Sequence, residues 1–218
     1  MRLADERVAI VVACRRLADA GLVIGTAGNV SVRSGELVAI TPTGARLAEL
    51  EAEQVCVVDR AGDLVEGALR PTSEIGLHLG VYDRYQAGAI VHTHAPASTA
   101  VSCVVDELPC VHYSMLLLGG SVRVAPYATF GTPELADSVL EALAERTAAL
   151  MANHGAVTYG GDLDAALEAT LLLEWASDVY ARAVAIGEPR ALDDEARRAV
   201  IEAAVARDYG RPQAAGEP

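Results

Sequence analysis

The sequence predicts an α/β fold built on a partly antiparallel sheet. Three observations carry this expectation. Strong helix formers run without glycine or proline near both ends of the chain, short β-branched runs pair around glycine turns, and 52% of the 218 residues are hydrophobic, enough for a substantial core. The chain is expected to form one domain over residues 1–218, with a proline- and glycine-containing tail from about 208 to 218 that frays.

Taken in order, residues 4–20 form a helix that closes at Gly21, a glycine C-cap. Gly25-Thr-Ala-Gly-Asn-Val-Ser31 is a glycine-rich loop leading into a hairpin, with Val30 and Val32 on one strand, Leu37–Ile40 on the other and Ser34-Gly35 at the turn. A second loop, Thr41-Pro-Thr-Gly44, precedes a short helical stretch. Another hairpin follows, Val55–Val58 with Leu64-Val65 around Ala61-Gly62-Asp63. Arg70-Pro-Thr-Ser-Glu74 is a turn and helix start, with Ser73 as the N-cap and Ile75, Leu79 and Tyr82 along one face behind it. The apolar run Ala89–Ala95 is a strand that Pro96 must end. A strand near Leu108–Val111 and a break at Gly119-Gly120 lead to a helix over Thr132–Glu145, with Pro133 in its first turn. Ala148–Met151 and Ala156–Tyr159 are strands meeting at His154, and helices cover Leu163–Ile186 and Asp193–Arg207.

Composition removes several classes of function. A formal charge of −13 without any cluster of cations excludes nucleic acid and anionic membrane surfaces as partners, because both are bound by neutralising phosphate. No apolar stretch approaches the ~20 residues that cross a bilayer. The segment Met1–Arg7 carries acidic residues where a signal peptide has none, so a cytoplasmic protein is expected. Cys14, Cys56, Cys103 and Cys110 lack Cys-x-x-Cys spacing and have largely apolar neighbours, which suits reduced, buried thiols. Aromatic residues make up only 4%, so the apolar content is mostly Ala, Val and Leu, and part of it is expected between subunits. Every one of the 17 basic residues is arginine. A chain without lysine has no Schiff-base nucleophile, no anchor for pyridoxal phosphate and no P-loop lysine.

The most informative segment is His92-Thr93-His94. A lone strand histidine is commonly a packed core residue. Two on the same face of one apolar strand need a polar partner, and a metal ion supplies it. Paired imidazoles suit Zn²⁺, which takes roughly three protein ligands in a catalytic site, and His154 in Asn153-His-Gly155 is the natural third. Glu74 at a helix N-terminus is stabilised by the helix dipole whatever else it does. Near a metal-polarised ketone it could also shuttle a proton to and from carbon. The loops Gly25–Ser31 and Thr41–Gly44, with Thr72-Ser73, are either ordinary tight turns or a nest of N–H and hydroxyl groups around one phosphate.

In their order and spacing, these motifs closely resemble those of the class II aldolase and adducin-head family. The markers are Gly25–Ser31, Thr41–Gly44, Thr72-Ser-Glu74, His92-Thr-His94, Ala125-Pro-Tyr-Ala-Thr-Phe-Gly131 and Asn153-His-Gly155, and the resemblance covers nearly the whole chain. It implies a three-layer α/β/α fold around a mainly antiparallel sheet, and a homotetramer with active sites at subunit interfaces. It also implies one Zn²⁺ per subunit on His92, His94 and His154, with Glu74 as an additional resting ligand that becomes the acid/base. Thr26, Gly28, Asn29, Thr43, Gly44, Thr72 and Ser73 would bind the phosphate of a sugar phosphate. Phe130 would border the aldehyde side of the substrate. Tyr113 would handle the proton on the aldehyde-side hydroxyl, and Tyr209 from a neighbouring subunit's tail would help close the site.

The implied reaction is reversible cleavage of a ketose 1-phosphate, L-fuculose 1-phosphate in the nearest branch, to dihydroxyacetone phosphate and L-lactaldehyde. Such a cleavage leaves an enediolate, and in a chain without lysine its charge must rest on a Lewis-acidic ion. The same chemistry on 5-deoxyribulose 1-phosphate is the sister expectation. The family also holds sugar-phosphate epimerases, dehydratases and decarboxylases, and metal-free adducin heads that act as binding modules. The resemblance favours an aldolase through Glu74, where the epimerase carries Asp, and the three histidines oppose an adducin-like module. One departure stands out: the aldolase has an aromatic residue three positions before its tail tyrosine, and this chain has Ala206, which implies a wider or less apolar aldehyde pocket.

Overall fold

The computed structural model describes residues 1–207. Helix α1 (Ala4–Asp19) ends as expected, with Gly21 at φ +72°. The two expected hairpins are β1 (Asn29–Ser34) with β2 (Leu37–Ile40), and β3 (Cys56–Asp59) with β4 (Leu64–Glu66). Next come α2 (Ile75–Arg84), β5 (Ala89–Thr93), α3 (Pro96–Ser102), β6 (Glu107–Leu108), β7 (Val122–Ala125) and α4 (Pro133–Ala142). The chain then forms β8 (Ala148–Met151), β9 (Gly155–Gly160), α5 (Leu163–Ile186) and α6 (Asp194–Ala206). Short 3₁₀ turns cover Leu47–Glu49, Ala52–Gln54 and Tyr113–Leu118. The strands form a nine-stranded sheet in the order β4-β3-β2-β1-β5-β9-β8-β7-β6. Every pairing is antiparallel except β7 with β8.

Strand alternation gives the sheet two apolar faces, and each is covered by helices. Ile40, Val58, Ala149, Met151 and Val157 pack with Val81 of α2 and with Leu135 and Val139 of α4. On the opposite face Val30, Ala39 and Val91 meet Ile10 and Leu17 of α1 and Leu167 of α5, while Ala148 and Leu150 meet Val101 of α3 and Leu173 of α5. The result is the expected three-layer α/β/α arrangement.

Several local expectations are corrected. Ser73 is not the N-cap of α2. Glu74 occupies that position at φ −97°, ψ 19°, its side chain does not cap the helix, and its own N–H donates to Thr72 Oγ1 at 3.3 Å. Pro96 does not merely end a strand; it opens α3, whose first N–H groups, on Ala97 and Ser98, both donate to the Glu174 carboxylate at 2.8 Å. That tertiary cap offsets the weak helix propensity of Pro-Ala-Ser-Thr-Ala-Val-Ser. The strand expected at 108–111 shrinks to β6, and the helix expected to reach Glu145 ends at Ala142, with Glu145 at φ +64°. The strand β7 was not foreseen, because Val122-Arg-Val-Ala125 is short and its pairing partner, β8, lies far along the chain.

Register brings distant residues to one end of the central strands. Asn29 pairs with His92 across β1 and β5, and His92 pairs with Val157 across β5 and β9. The β8–β9 hairpin closes Met151 against Gly155, so Asn153 and His154 form its tip beside β5. Gly155 permits that approach, since a Cβ there would lie 2.3 Å from the Thr93 carbonyl oxygen.

Candidate metal centre and adjoining cleft

His92 ends up fully buried near the end of β5, and His94 lies one residue past that strand, where the chain leaves the sheet. The His92 ring is oriented by Nδ1, which donates to the Ala156 carbonyl at 2.8 Å, so Nε2 faces the centre of the site. His92 Nε2 and His94 Nε2 are 3.0 Å apart. The tip residue His154 completes the group, and one nitrogen from each of the three rings lies within 4.8 Å of the others. Glu74, from the start of α2, reaches the same centre, with Oε2 3.1 Å from His92 Nε2 and Oε1 3.5 Å from His154 Nε2.

These residues fit a metal ion. Tetrahedral Zn²⁺ separates neighbouring ligand atoms by roughly 3.3 Å, given bonds of about 2.0–2.1 Å, and the 3.0, 3.1 and 3.5 Å contacts lie near that spacing. Glu74 Oε1 is buried and receives no hydrogen bond from the described residues, an uncompensated acceptor that a cation would satisfy. Electrostatics agree. Burial, then the charges of His92 and His154, push His94 down to about 4, and burial with the His92 charge also lowers His154, so both favour the neutral, ligating form. Burial alone would raise Glu74. The charge and hydrogen bond of His92, then the Asn29 amide, override it and hold the carboxyl well below the usual range. For His92 burial pulls downward, but the Glu74 carboxylate and the Ala156 carbonyl raise it overall. The position between His92 Nε2 and Glu74 therefore attracts a positive charge, either a proton or a metal ion.

A cleft of about 260 Å³ opens directly onto this centre. Thr26, Gly28, Asn29, Thr43, Gly44, Thr72, Ser73 and Phe130 all line it, together with Glu74, His94 and His154. The two loops at its side are held together by backbone contacts. Thr43 N–H donates to Arg70 O at 3.0 Å, Thr72 N–H donates to Thr41 O at 3.1 Å, and Pro42 bridges Pro71. Gly28 sits at φ +93°, where a Cβ would approach the His92 carbonyl oxygen to 2.9 Å, so the loop before β1 lies against the metal centre only because this residue is glycine. Hydroxyls and loop backbone beside a site that would hold a cation suit an anionic, oxygen-rich ligand.

Among the described residues, one expected site residue is not brought into this cleft. Tyr113, 41% exposed, lies against His112 and borders another cavity with Val200, Ala203 and Arg207. Tyr209 falls outside the described residues. Five lining residues were missed, Ala27, Pro42, Tyr127, Ala128 and Asn153, although each lies inside a motif that marks the family resemblance. His78, also missed, is buried one helical turn after Glu74; the spacing Glu74-x-x-x-His78 places both on one face of α2 and was the available signal.

Comparison with known proteins agrees with this geometry. Residues 8–181 match the family described as Class II Aldolase and Adducin N-terminal domain. The chain is 37% identical over 198 residues to the 5-deoxy-D-ribulose 1-phosphate aldolase of Bacillus thuringiensis serovar kurstaki, a match spanning 89% of this chain and 93% of that one. It is 39% identical over 196 residues to the L-fuculose phosphate aldolase of Escherichia coli K12, spanning 88% and 91% of the two chains. Among solved structures, an L-fuculose 1-phosphate aldolase superposes with a TM-score of 0.89 at 35% identity, covering 93% of this chain and 97% of the other.

Proposed function

Since this chain belongs to the class II aldolase and adducin N-terminal domain family and is a lyase of the aldolase class, we propose that it is a zinc-dependent aldolase cleaving L-fuculose 1-phosphate reversibly to dihydroxyacetone phosphate and L-lactaldehyde. The observation that carries this reading is a buried carboxylate, Glu74, set among three histidines at the floor of a hydroxyl-lined cleft.

His92, His94 and His154 would hold one Zn²⁺ per subunit, with Glu74 as a further ligand at rest. When bound, the ion supplies Lewis-acid stabilisation of the negative charge that develops on the ketose oxygens, the part that lysine plays in other aldolases. The remaining work falls to this chain's own residues. Thr26, Gly28, Asn29, Thr43, Gly44, Thr72 and Ser73 bind the phosphate through hydroxyl and backbone N–H groups, which fixes the reacting carbons beside Glu74. Glu74, its carboxyl held ionised, takes up and returns the proton at the carbon of the dihydroxyacetone phosphate portion. Phe130 borders the aldehyde side. Tyr113 exchanges the proton of the aldehyde-side hydroxyl and Tyr209 closes the site, both from a neighbouring subunit of a homotetramer; the position of Tyr113 outside its own chain's cleft supports that arrangement. The subunit is a single-domain cytoplasmic protein in this reading. Among the described residues no helix is long and apolar enough to cross a membrane.

A second reading keeps the residues and the chemistry but takes 5-deoxyribulose 1-phosphate, releasing acetaldehyde. It is favoured by the Bacillus relative, and Ala206 departs from the aromatic residue that the fuculose branch carries there. Coupled detection of dihydroxyacetone phosphate from each sugar, with and without chelator, tests both. Cleavage of either sugar that stops on metal removal and returns with zinc is expected, and the ratio of kcat/KM selects the substrate. Cleavage that survives complete metal removal refutes the mechanism. Protein that holds no metal and gains no thermal stability from zinc would instead be a non-catalytic oligomeric module.

A further inference from the structure

A continuous chain of buried polar side chains runs inward from Glu74. Asn29 Nδ2 is 2.9 Å from Glu74 Oε2 and 3.1 Å from Thr72 Oγ1. Asn29 Oδ1 is 2.5 Å from His78 Nε2, His78 Nδ1 is 2.7 Å from Ser31 Oγ, and Ser31 Oγ is 2.7 Å from the Tyr82 hydroxyl. Ser31 and His78 are fully buried, and Asn29 and Tyr82 nearly so.

Hydrogen-bond chemistry gives the chain one direction. An ionised carboxylate only accepts, so Asn29 must face Glu74 with its NH₂ group. The carboxamide oxygen then points at His78, and two acceptors cannot share that contact, so His78 must donate from Nε2. Burial keeps this imidazole neutral, with one N–H. Its Nδ1 is therefore a lone pair that accepts from the Ser31 hydroxyl, and Ser31 in turn accepts from Tyr82. Each donor points toward the carboxylate: Tyr82 to Ser31, Ser31 to His78, His78 to Asn29, Asn29 to Glu74. Without the His78 donor, Asn29 Oδ1 becomes a buried acceptor with no partner, and the carboxamide loses one of the contacts that hold its NH₂ group on Glu74.

We propose that His78 is a positioning residue for the reaction: by donating from Nε2 to Asn29 Oδ1 it locks the Asn29 carboxamide with its NH₂ on Glu74 and thereby fixes the carboxylate at the metal centre. The proposal rests on the reading of Glu74 as the group that moves the carbon-bound proton. The contact also joins α2 to the start of β1, so the helix that carries Glu74 and the strand beside His92 are tied at the site.

The direct test needs no variant. Nitrogen-15 NMR of the zinc-loaded protein should show His78 protonated at Nε2; a ring bare at Nε2 and protonated at Nδ1 overturns the proposal. The functional test compares His78→Gln, whose side-chain NH₂ can replace the Nε2 donor, with His78→Phe, which fills the space and donates nothing. His78→Phe should slow exchange of the carbon-bound hydrogen of dihydroxyacetone phosphate by about 10–100-fold, as loss of an outer partner of a metal site does, with KM little changed and His78→Gln recovering most of the rate. In a Glu74→Gln background the His78→Phe change should cost almost nothing. Equal losses in the Gln and Phe variants, or an equal cost of Phe in both backgrounds, would show a merely structural role and overturn the proposal. Wild-type protein without any exchange would overturn the reading of Glu74 and this proposal with it, whereas wild-type exchange that His78→Phe leaves intact overturns this proposal alone.

Discussion

Replacing Glu74 by glutamine keeps the side chain's shape and removes its charge and basicity. Of the two carboxylate oxygens, Oε2 accepts from Asn29 at 2.9 Å and Oε1 receives no hydrogen bond from the described residues. The glutamine carbonyl can therefore keep the Asn29 contact, while its NH₂ takes the position that has no donor to lose. His92, His94 and His154 remain, so the variant should still hold one zinc per subunit. What disappears is the proton acceptor. A positioned general base contributes about 10²–10⁴ in rate, which at about 1.4 kcal/mol per decade is roughly 3–5 kcal/mol of barrier. The assay is hydrogen–deuterium exchange at carbon in dihydroxyacetone phosphate, followed by NMR, with zinc measured on the same sample. A fall of that size with zinc retained is expected. Exchange at the wild-type rate would refute Glu74 as the base, and exchange lost together with zinc would reduce its part to that of a ligand.

Two further predictions follow from the same geometry. His78 is lowered to about 3 by burial and by the His92 charge, so in acid the unfolded chain takes up a proton that the folded state refuses. The lowered His94, His154 and Glu74 act in the same direction, since in each case the unfolded chain takes up its proton first. Zinc-free protein should therefore lose stability as the pH falls below about 6.5, with up to about 1.4 kcal/mol per pH unit from His78, seen as a falling urea midpoint, and a midpoint that stays flat in acid would contradict the buried neutral imidazole. If Tyr113 serves a neighbouring subunit, Glu74→Gln and Tyr113→Phe proteins should each cleave poorly, yet after mixed refolding in equal amounts about a quarter of the sites would pair an intact Glu74 with an intact Tyr113. Recovery of activity toward that fraction is expected, and a mixture no more active than its parents would place Tyr113 in its own subunit's chemistry or outside it.

Much of the site was legible in the chain because its signals are local. The His92-Thr93-His94 spacing needs only the two-residue period of a strand to put both rings on one side, and the loops Gly25–Ser31 and Thr41–Gly44 announce themselves by glycine and hydroxyl content. The long helix α5 matched its expected bounds, Leu163–Ile186, since a run of that length without glycine or proline has no competing structure. Local reasoning failed where a distant partner decides. Helix α3 exists because Glu174 caps it from α5, and β7 because β8 lies beside it. Ser73 has the chemistry of an N-cap, but the helix begins one residue later and turns the Glu74 side chain toward the histidines.

The sequence was sufficient for the identity of the chemistry-bearing groups: three candidate ligands, one carboxylate, an absence of lysine and two anion-suited loops, all of which depend on residue type and short spacing. It was silent on the direction of the hydrogen bonds that orient them. His78 became visible only when folding set α2 against β1, because a histidine's tautomer and an asparagine's orientation follow from what faces each polar atom across the core. Which donor meets which acceptor is a property of packing between elements far apart in the chain, and no local pattern encodes it.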